Sequence, residues 1–335
     1  MTRLTPLEVF ATVGKPTITY VERDSGEHER RLKASLLTPG QICLLTGPSK
    51  LGKTSLHQRV LPELKRQPLL IRCSGQLDAR DFWAKALEQL DFSVIAERAD
   101  SWGIETQTEI GVKGELGWKW LARLMPTANF RISGSTNEEI KKSFIHSKIS
   151  ASHLLPLLKR LPLQLIVEDF HYLKLEVQKE VFQQWKSFVD EGVSALVVST
   201  THHASDIANS NPDLTGRTRH IDIGQWKQGD LERIVQLGLD YFRIKNRPNM
   251  RAYIAEESVG IPIITQQICQ DFIISLNIER NLLAATRDYR QDQIEPSVKK
   301  VATEFYSSFD RDYDRLVDGP RRSTRKHDTY SMILS

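Results

Sequence analysis

Residues 42–64 constrain this chain more than any other stretch. Ile42-Cys43-Leu44-Leu45 is a short apolar run of the kind that forms a buried strand. It breaks at Thr46-Gly47-Pro48-Ser49-Lys50-Leu51-Gly52-Lys53-Thr54-Ser55 and passes into Leu56, Val60 and Leu64 at helical spacing. A strand, then G-x-x-x-x-G-K-T, then a helix is the context in which a glycine loop acquires a mechanism. Gly47 and Gly52 permit backbone geometries that a Cβ would hinder. The loop N–H groups can then cradle phosphate oxygens where the helix begins. Lys53 is expected to reach the β- and γ-phosphates of a nucleotide, and the Thr54 hydroxyl to sit on Mg²⁺. Gly47, Pro48, Ser49, Lys50, Gly52, Lys53, Thr54 and Ser55 form the expected nucleotide-binding loop.

A phosphate loop alone does not say what happens to the phosphate. The next discriminator is an apolar strand ending in carboxylates, and Leu165-Ile166-Val167-Glu168-Asp169 supplies it. One carboxylate would orient a ligand on Mg²⁺; its neighbour would polarise the attacking water. Register puts Glu168 at the metal position and Asp169 at the base position. A further apolar strand, Val193 to Thr200, ends in Ser199-Thr200-Thr201. Polar groups there can sense a γ-phosphate at the carboxyl end of a sheet, so Thr200 and Thr201 are the sensor candidates. Arg217 and Arg219 precede a last short strand, His220 to Ile223. Arg217 is either a finger on a neighbour's γ-phosphate or half of a surface salt bridge.

A chain of 335 residues exceeds the usual size of one compact domain. The alternation of strands and helices predicts an α/β fold around a parallel sheet. The expected organisation is an entry segment at 1–40, extended over 17–21 and helical over 27–37. An α/β core at 41–225 follows, then a helical lid at 226–317 and a basic tail or the stub of a further domain at 318–335. Within the core, 92–150 interrupts the rhythm as an insertion. Its residues 110–120 alternate with period two (Ile110, Val112, Leu116, Trp118 and Trp120 against Lys113, Glu115 and Lys119), an amphipathic β-hairpin. That hairpin either packs on the core or projects towards a neighbour or a nucleic acid. A net charge of +4 permits nucleic-acid contact without arguing for it. Cys43, Cys73 and Cys269 lie in apolar runs without C-x-x-C spacing, and read as buried thiols in a reducing compartment. No apolar leader and no membrane span is expected, which places the chain in the cytoplasm.

Together these elements resemble the AAA+ and STAND branches of the P-loop ATPases. Gly260-Ile261-Pro262 looks like the G-x-P motif of STAND proteins, which implies that Pro262 packs against the adenine. Thr19-Tyr20-Val21-Glu22-Arg23 resembles the entry motif that lines the base pocket there. The run Glu168 to Leu173, E-D-F-H-Y-L, is similar to bacterial ATPases of anti-phage and other conflict systems. The resemblance covers roughly 15–310 and departs from the pattern at two points. Glu168-Asp169 reverses the usual Asp-Glu order, and no clear arginine stands near Pro262 in the lid. It implies ATP/ADP and Mg²⁺ bound between core and lid, hydrolysis to ADP and phosphate, and self-association into a homo-oligomer that works as a switch. An effector or sensor protein is the further partner implied, with no membrane involved. The alternative is a nucleic-acid-associated AAA+ ATPase, such as a transposition or replication loader. A third is a scaffold that binds ATP and barely cleaves it.

Overall fold

The computed structural model describes residues 4–14, 18–88, 151–200, 214–245, 247–278 and 286–318. The expected hairpin at 110–120, the basic tail and Thr201 lie outside the described residues. The chain forms two compact units, residues 22–224 and residues 1–21 with 225–335.

The first unit is built on a five-stranded parallel sheet: β1 (Ile42–Thr46), β2 (Gln67–Arg72), β3 (Leu163–Glu168), β4 (Ala195–Val198) and β5 (Thr218–Asp222), in the order β2-β3-β4-β1-β5. Sequence and position agree strand by strand. β1, β3 and β4 are apolar runs, buried at every residue, as interior strands covered on both faces must be. β2 and β5 mix buried and exposed positions and stand at the two edges. Pro68, which cannot donate to a ladder, falls on the edge strand β2.

Among the described residues five α-helices accompany the sheet: α1 (Glu27–Leu37), α2 (Lys53–Val60), α3 (Ala79–Glu88), α4 (Ala151–Arg160) and α5 (Leu175–Asp190). Asp78 caps α3, its carboxylate accepting the Asp81 N–H at 2.7 Å. The buried faces of α3 and α5 meet in an aromatic cluster. Trp83 stacks on Phe188 at 5.3 Å and Phe82 stands edge-on to Trp185 at 6.4 Å. Phe170, just past β3, joins it edge-on to Phe182 at 5.2 Å. This cluster braces the carboxyl end of β3, where Glu168 sits.

The second unit is helical: α6 (Gln228–Tyr241), α7 (Pro248–Glu257), α8 (Pro262–Ser275) and α9 (Glu295–Asp318). Pro248 and Pro262 occupy first helical turns, where the missing N–H has no partner to lose. A one-turn helix, Pro6–Val9, is closed by a reciprocal capping box between Thr5 and Glu8. It delivers Phe10 onto α6 at Gly238, where a Cβ would lie 2.0 Å from the Phe10 ring. Residues 1–40 therefore divide between the units. Residues 18–21, expected to be extended, form a turn and short coil. Among the described residues no strand is there to pair with, and the Thr19 hydroxyl instead donates to the Val9 carbonyl at 2.7 Å. All three cysteines are free and buried. Among the described residues no helix is long and apolar enough to cross a membrane.

Candidate functional site

The glycine loop leaves β1 at the carboxyl edge of the sheet. Gly47 has φ +138°, and a Cβ there would stand 2.2 Å from the Ile223 carbonyl oxygen. The reason is local: the Ile223 N–H donates to the Thr46 carbonyl at 2.8 Å, which draws the end of β5 against the start of the loop. Only glycine fits. Gly52, at φ +92°, turns the chain into α2, and no side chain caps that helix. Its first N–H groups, among them those of Thr54 and Ser55, carry the positive end of the helix dipole. Pro48, Ser49 and Lys50 are exposed along the loop, and Lys50 takes a left-handed φ of +66°.

Lys53 is folded into the loop and only 8% exposed. Its ammonium donates to the carbonyls of Gly47 at 2.7 Å and Pro48 at 2.6 Å. Burial lowers its pKa, and the nearby carboxylates of Asp169 and Asp222 work against that shift. The positive charge at the centre of the loop is thus partly desolvated, which strengthens its attraction for an incoming anion.

Glu168 ends β3 and is 7% exposed. Its Oε1 accepts the Thr54 hydroxyl at 3.3 Å and lies 2.9 Å from His57 Nε2; its Oε2 accepts Arg72 Nε at 3.3 Å. Hydrogen bonding from His57 holds the Glu168 carboxyl below its ordinary range, against the opposing effect of burial, with Arg72 helping. Asp169 follows in the left-handed region at φ +60° and is exposed. Thr200, at the end of β4, donates its backbone N–H to His171 Nδ1 at 3.4 Å. Burial lowers the His171 pKa, with the Asp169 carboxylate opposing and Lys53 reinforcing the shift.

The sheet therefore brings Lys53, Thr54, Glu168 and Asp169 to one edge. Arg217 is not among them. Its carbonyl accepts the Ile42 N–H at 2.8 Å, at the opposite, amino-terminal edge. With about 3.3 Å of rise per strand residue, the length of β5 separates it from the loop of its own unit. Pro262 belongs to the helical unit, buried at the start of α8. Sequence reasoning overlooked His57, Arg72 and Asp222. His57 had a readable signal, standing three residues after Thr54 and four after Lys53 on one helix. Arg72 had none, because it meets Glu168 only through the β2–β3 register.

Similarity to known structures agrees with this geometry. The Walker-type ATPase of Pyrococcus abyssi matches with a TM-score of 0.53 at 15% identity, covering 92% of this chain and 81% of that one. The glycine loop leaves β1, and β4 lies between that strand and the one ending in Glu168. The fold is that of the P-loop NTPases. The RuvB Holliday junction branch migration motor of Thermotoga maritima gives a TM-score of 0.47 at 15% identity, covering 94% of this chain and 82% of its own. Cdc6p from Pyrobaculum aerophilum gives 0.49 at 13%, covering 90% and 72%. At these identities the likeness is one of fold alone. No protein-family model matches the sequence, and no curated protein does.

The donor set suits a nucleotide phosphate with Mg²⁺. A glycine cradle that a Cβ would fill, an uncapped helix start and a desolvated ammonium favour polyanionic oxygen. Among the described residues no group of three or more His, Cys, Asp or Glu gathers to hold a metal by itself. One hydroxyl and one carboxylate, completed by phosphate oxygens, are what Mg²⁺ ordinarily takes from such a protein.

Proposed function

We propose that this chain is an ATP-binding and ATP-hydrolysing molecular switch that acts as a homo-oligomer. The reading rests on one observation, the meeting of Lys53, Thr54 and Glu168 at the mouth of an uncapped glycine loop. Lys53 exchanges its two loop carbonyls for phosphate oxygens, which its charge prefers. Thr54 and Glu168 hold Mg²⁺, which when bound supplies positive charge against the phosphates. Asp169, exposed beside Lys53, takes the proton of the attacking water. Thr200, at the end of β4, reports the presence of the terminal phosphate. Arg217, at the opposite edge, serves the site of a neighbouring copy. The helical unit is the second element of the switch, since ligands move an equilibrium only through differential affinity. An effector or sensor protein completes the system. A setting in bacterial anti-phage defence rests on the resemblance of Glu168 to Leu173 alone.

The test is molecular mass in solution with ATP, with ADP and without nucleotide, together with Lys53→Ala. ATP is expected to raise the assembly state, and Lys53→Ala to abolish both binding and the change in mass. Nucleotide binding by Lys53→Ala equal to wild type overturns the proposal. DNA affinity that falls steeply with salt would favour the nucleic-acid-associated alternative.

A further inference from the structure

We propose that His57 is a positioning residue that fixes the Glu168 carboxylate for Mg²⁺. The inference rests on the nucleotide reading above and extends it to a side chain outside the glycine loop.

His57 is 3% exposed and lies on α2, the helix that also carries Lys53 and Thr54. Spacings of three from Thr54 and four from Lys53 set the three side chains on neighbouring positions of one face. The His57 Nε2 and the Thr54 Oγ1 converge on the same atom, Oε1 of Glu168, at 2.9 and 3.3 Å. The other ring nitrogen, Nδ1, is buried and meets no hydrogen-bond partner among the described residues. That asymmetry assigns the proton. A buried Nδ1–H would lose its hydrogen bond to water and gain nothing. An unprotonated Nε2 would oppose its lone pair to a carboxylate. The proton therefore sits on Nε2 and is donated to Glu168. Among the described residues Glu168 is the ring's one polar partner, so the position of His57 serves the carboxylate.

The need for such a group follows from the residue type. Glutamate carries one more rotatable bond than aspartate, so its carboxylate is less well placed by the strand alone. Three donors remove that freedom: Thr54 and His57 on Oε1 and Arg72 on Oε2. The Arg72 side chain is 69% exposed and can leave; the His57 side chain is enclosed. Partners that orient a ligating carboxylate commonly account for about 10–100-fold in metal affinity.

The experiment titrates MgCl₂ against binding of a non-hydrolysable ATP analogue, and measures the same analogue in EDTA. His57→Leu keeps the bulk of the side chain and removes the donor. The Mg²⁺ needed for half-maximal enhancement should rise about 10–100-fold, with affinity in EDTA unchanged. His57→Gln, whose amide reaches the position of Nε2, should restore the wild-type requirement, whereas His57→Asn, one methylene shorter, should not. If the Leu variant does not fold, the Gln and Asn pair carries the comparison. An unchanged Mg²⁺ requirement in His57→Leu, or in His57→Asn, overturns the proposal. So does an equal loss of affinity in EDTA, which would place the effect on the loop. Wild-type protein that binds no nucleotide, or binds it without regard to Mg²⁺, overturns the nucleotide reading and this inference with it.

Discussion

Gly47→Ala tests the geometry of the loop without touching a charged group. The new Cβ would lie 2.2 Å from the Ile223 carbonyl oxygen and 3.2 Å from the Ile223 Cβ. Relief requires the loop and the end of β5 to separate by about 1 Å, since ordinary contact begins near 3.4 Å. The Ile223 N–H bond to Thr46, 2.8 Å long, resists that movement. Forcing a methyl into a closed contact costs about 1–3 kcal/mol. Holding alanine at positive φ adds about 1–2 kcal/mol. The sum is about 2–5 kcal/mol, and each kcal/mol lowers Tm by about 2–4 °C in a unit of this size. Gly216→Ala is the control, with φ +75° and nothing within 4 Å of its Cβ. It carries the backbone penalty alone, about 1–2 kcal/mol. Thermal unfolding of the three proteins, followed by circular dichroism without nucleotide, separates the two contributions. Gly47→Ala should fall below Gly216→Ala and should also bind ATP more weakly, because the cradle has moved. If Gly47→Ala is as stable as Gly216→Ala, the contact with Ile223 is absent and the account of the loop is wrong.

Two further outcomes are expected. Arg217→Ala should leave ATP affinity unchanged and reduce turnover only at concentrations where copies assemble, by about 10³-fold if it acts as a finger; a loss at every concentration would refute action in trans. In the helical unit, Arg247 donates to Asp288 at 2.6 Å and holds its carboxyl down from 3.8 to about 2. A depressed carboxyl stabilises the fold above its unfolded pKa, and that contribution disappears as pH falls through the folded value. Asp288→Asn should therefore melt slightly lower than wild type near neutral pH and converge with it towards pH 2, the effect being small because the pair is exposed. A difference that persists below pH 2 would point to packing instead of charge.

Much of the fold was legible because its signals are local. Ile42–Leu45 and Leu165–Val167 read as buried strands from composition, and both are interior to the sheet. The extended run expected over 17–21 is a turn and coil at its described residues 18–21, because a strand needs a neighbouring strand, which a local pattern cannot supply. The expected helix at 27–37 needed only its own residues, and α1 spans Glu27–Leu37.

The site divides along the same line. The sequence by itself determined the loop, since glycine spacing, lysine and threonine are consecutive and their geometry follows from the chain's own torsions. It also determined that a carboxylate pair ends an apolar strand. Only the tertiary structure decided that Glu168 faces Thr54, that His57 and Arg72 grip its two oxygens, and that Arg217 stands at the far edge. Those relations depend on strand order and parallel register, which place residues about a hundred positions apart within hydrogen-bonding distance. Strand order is settled by how whole helices and strands bury their apolar faces together, a sum over the unit that no short segment records.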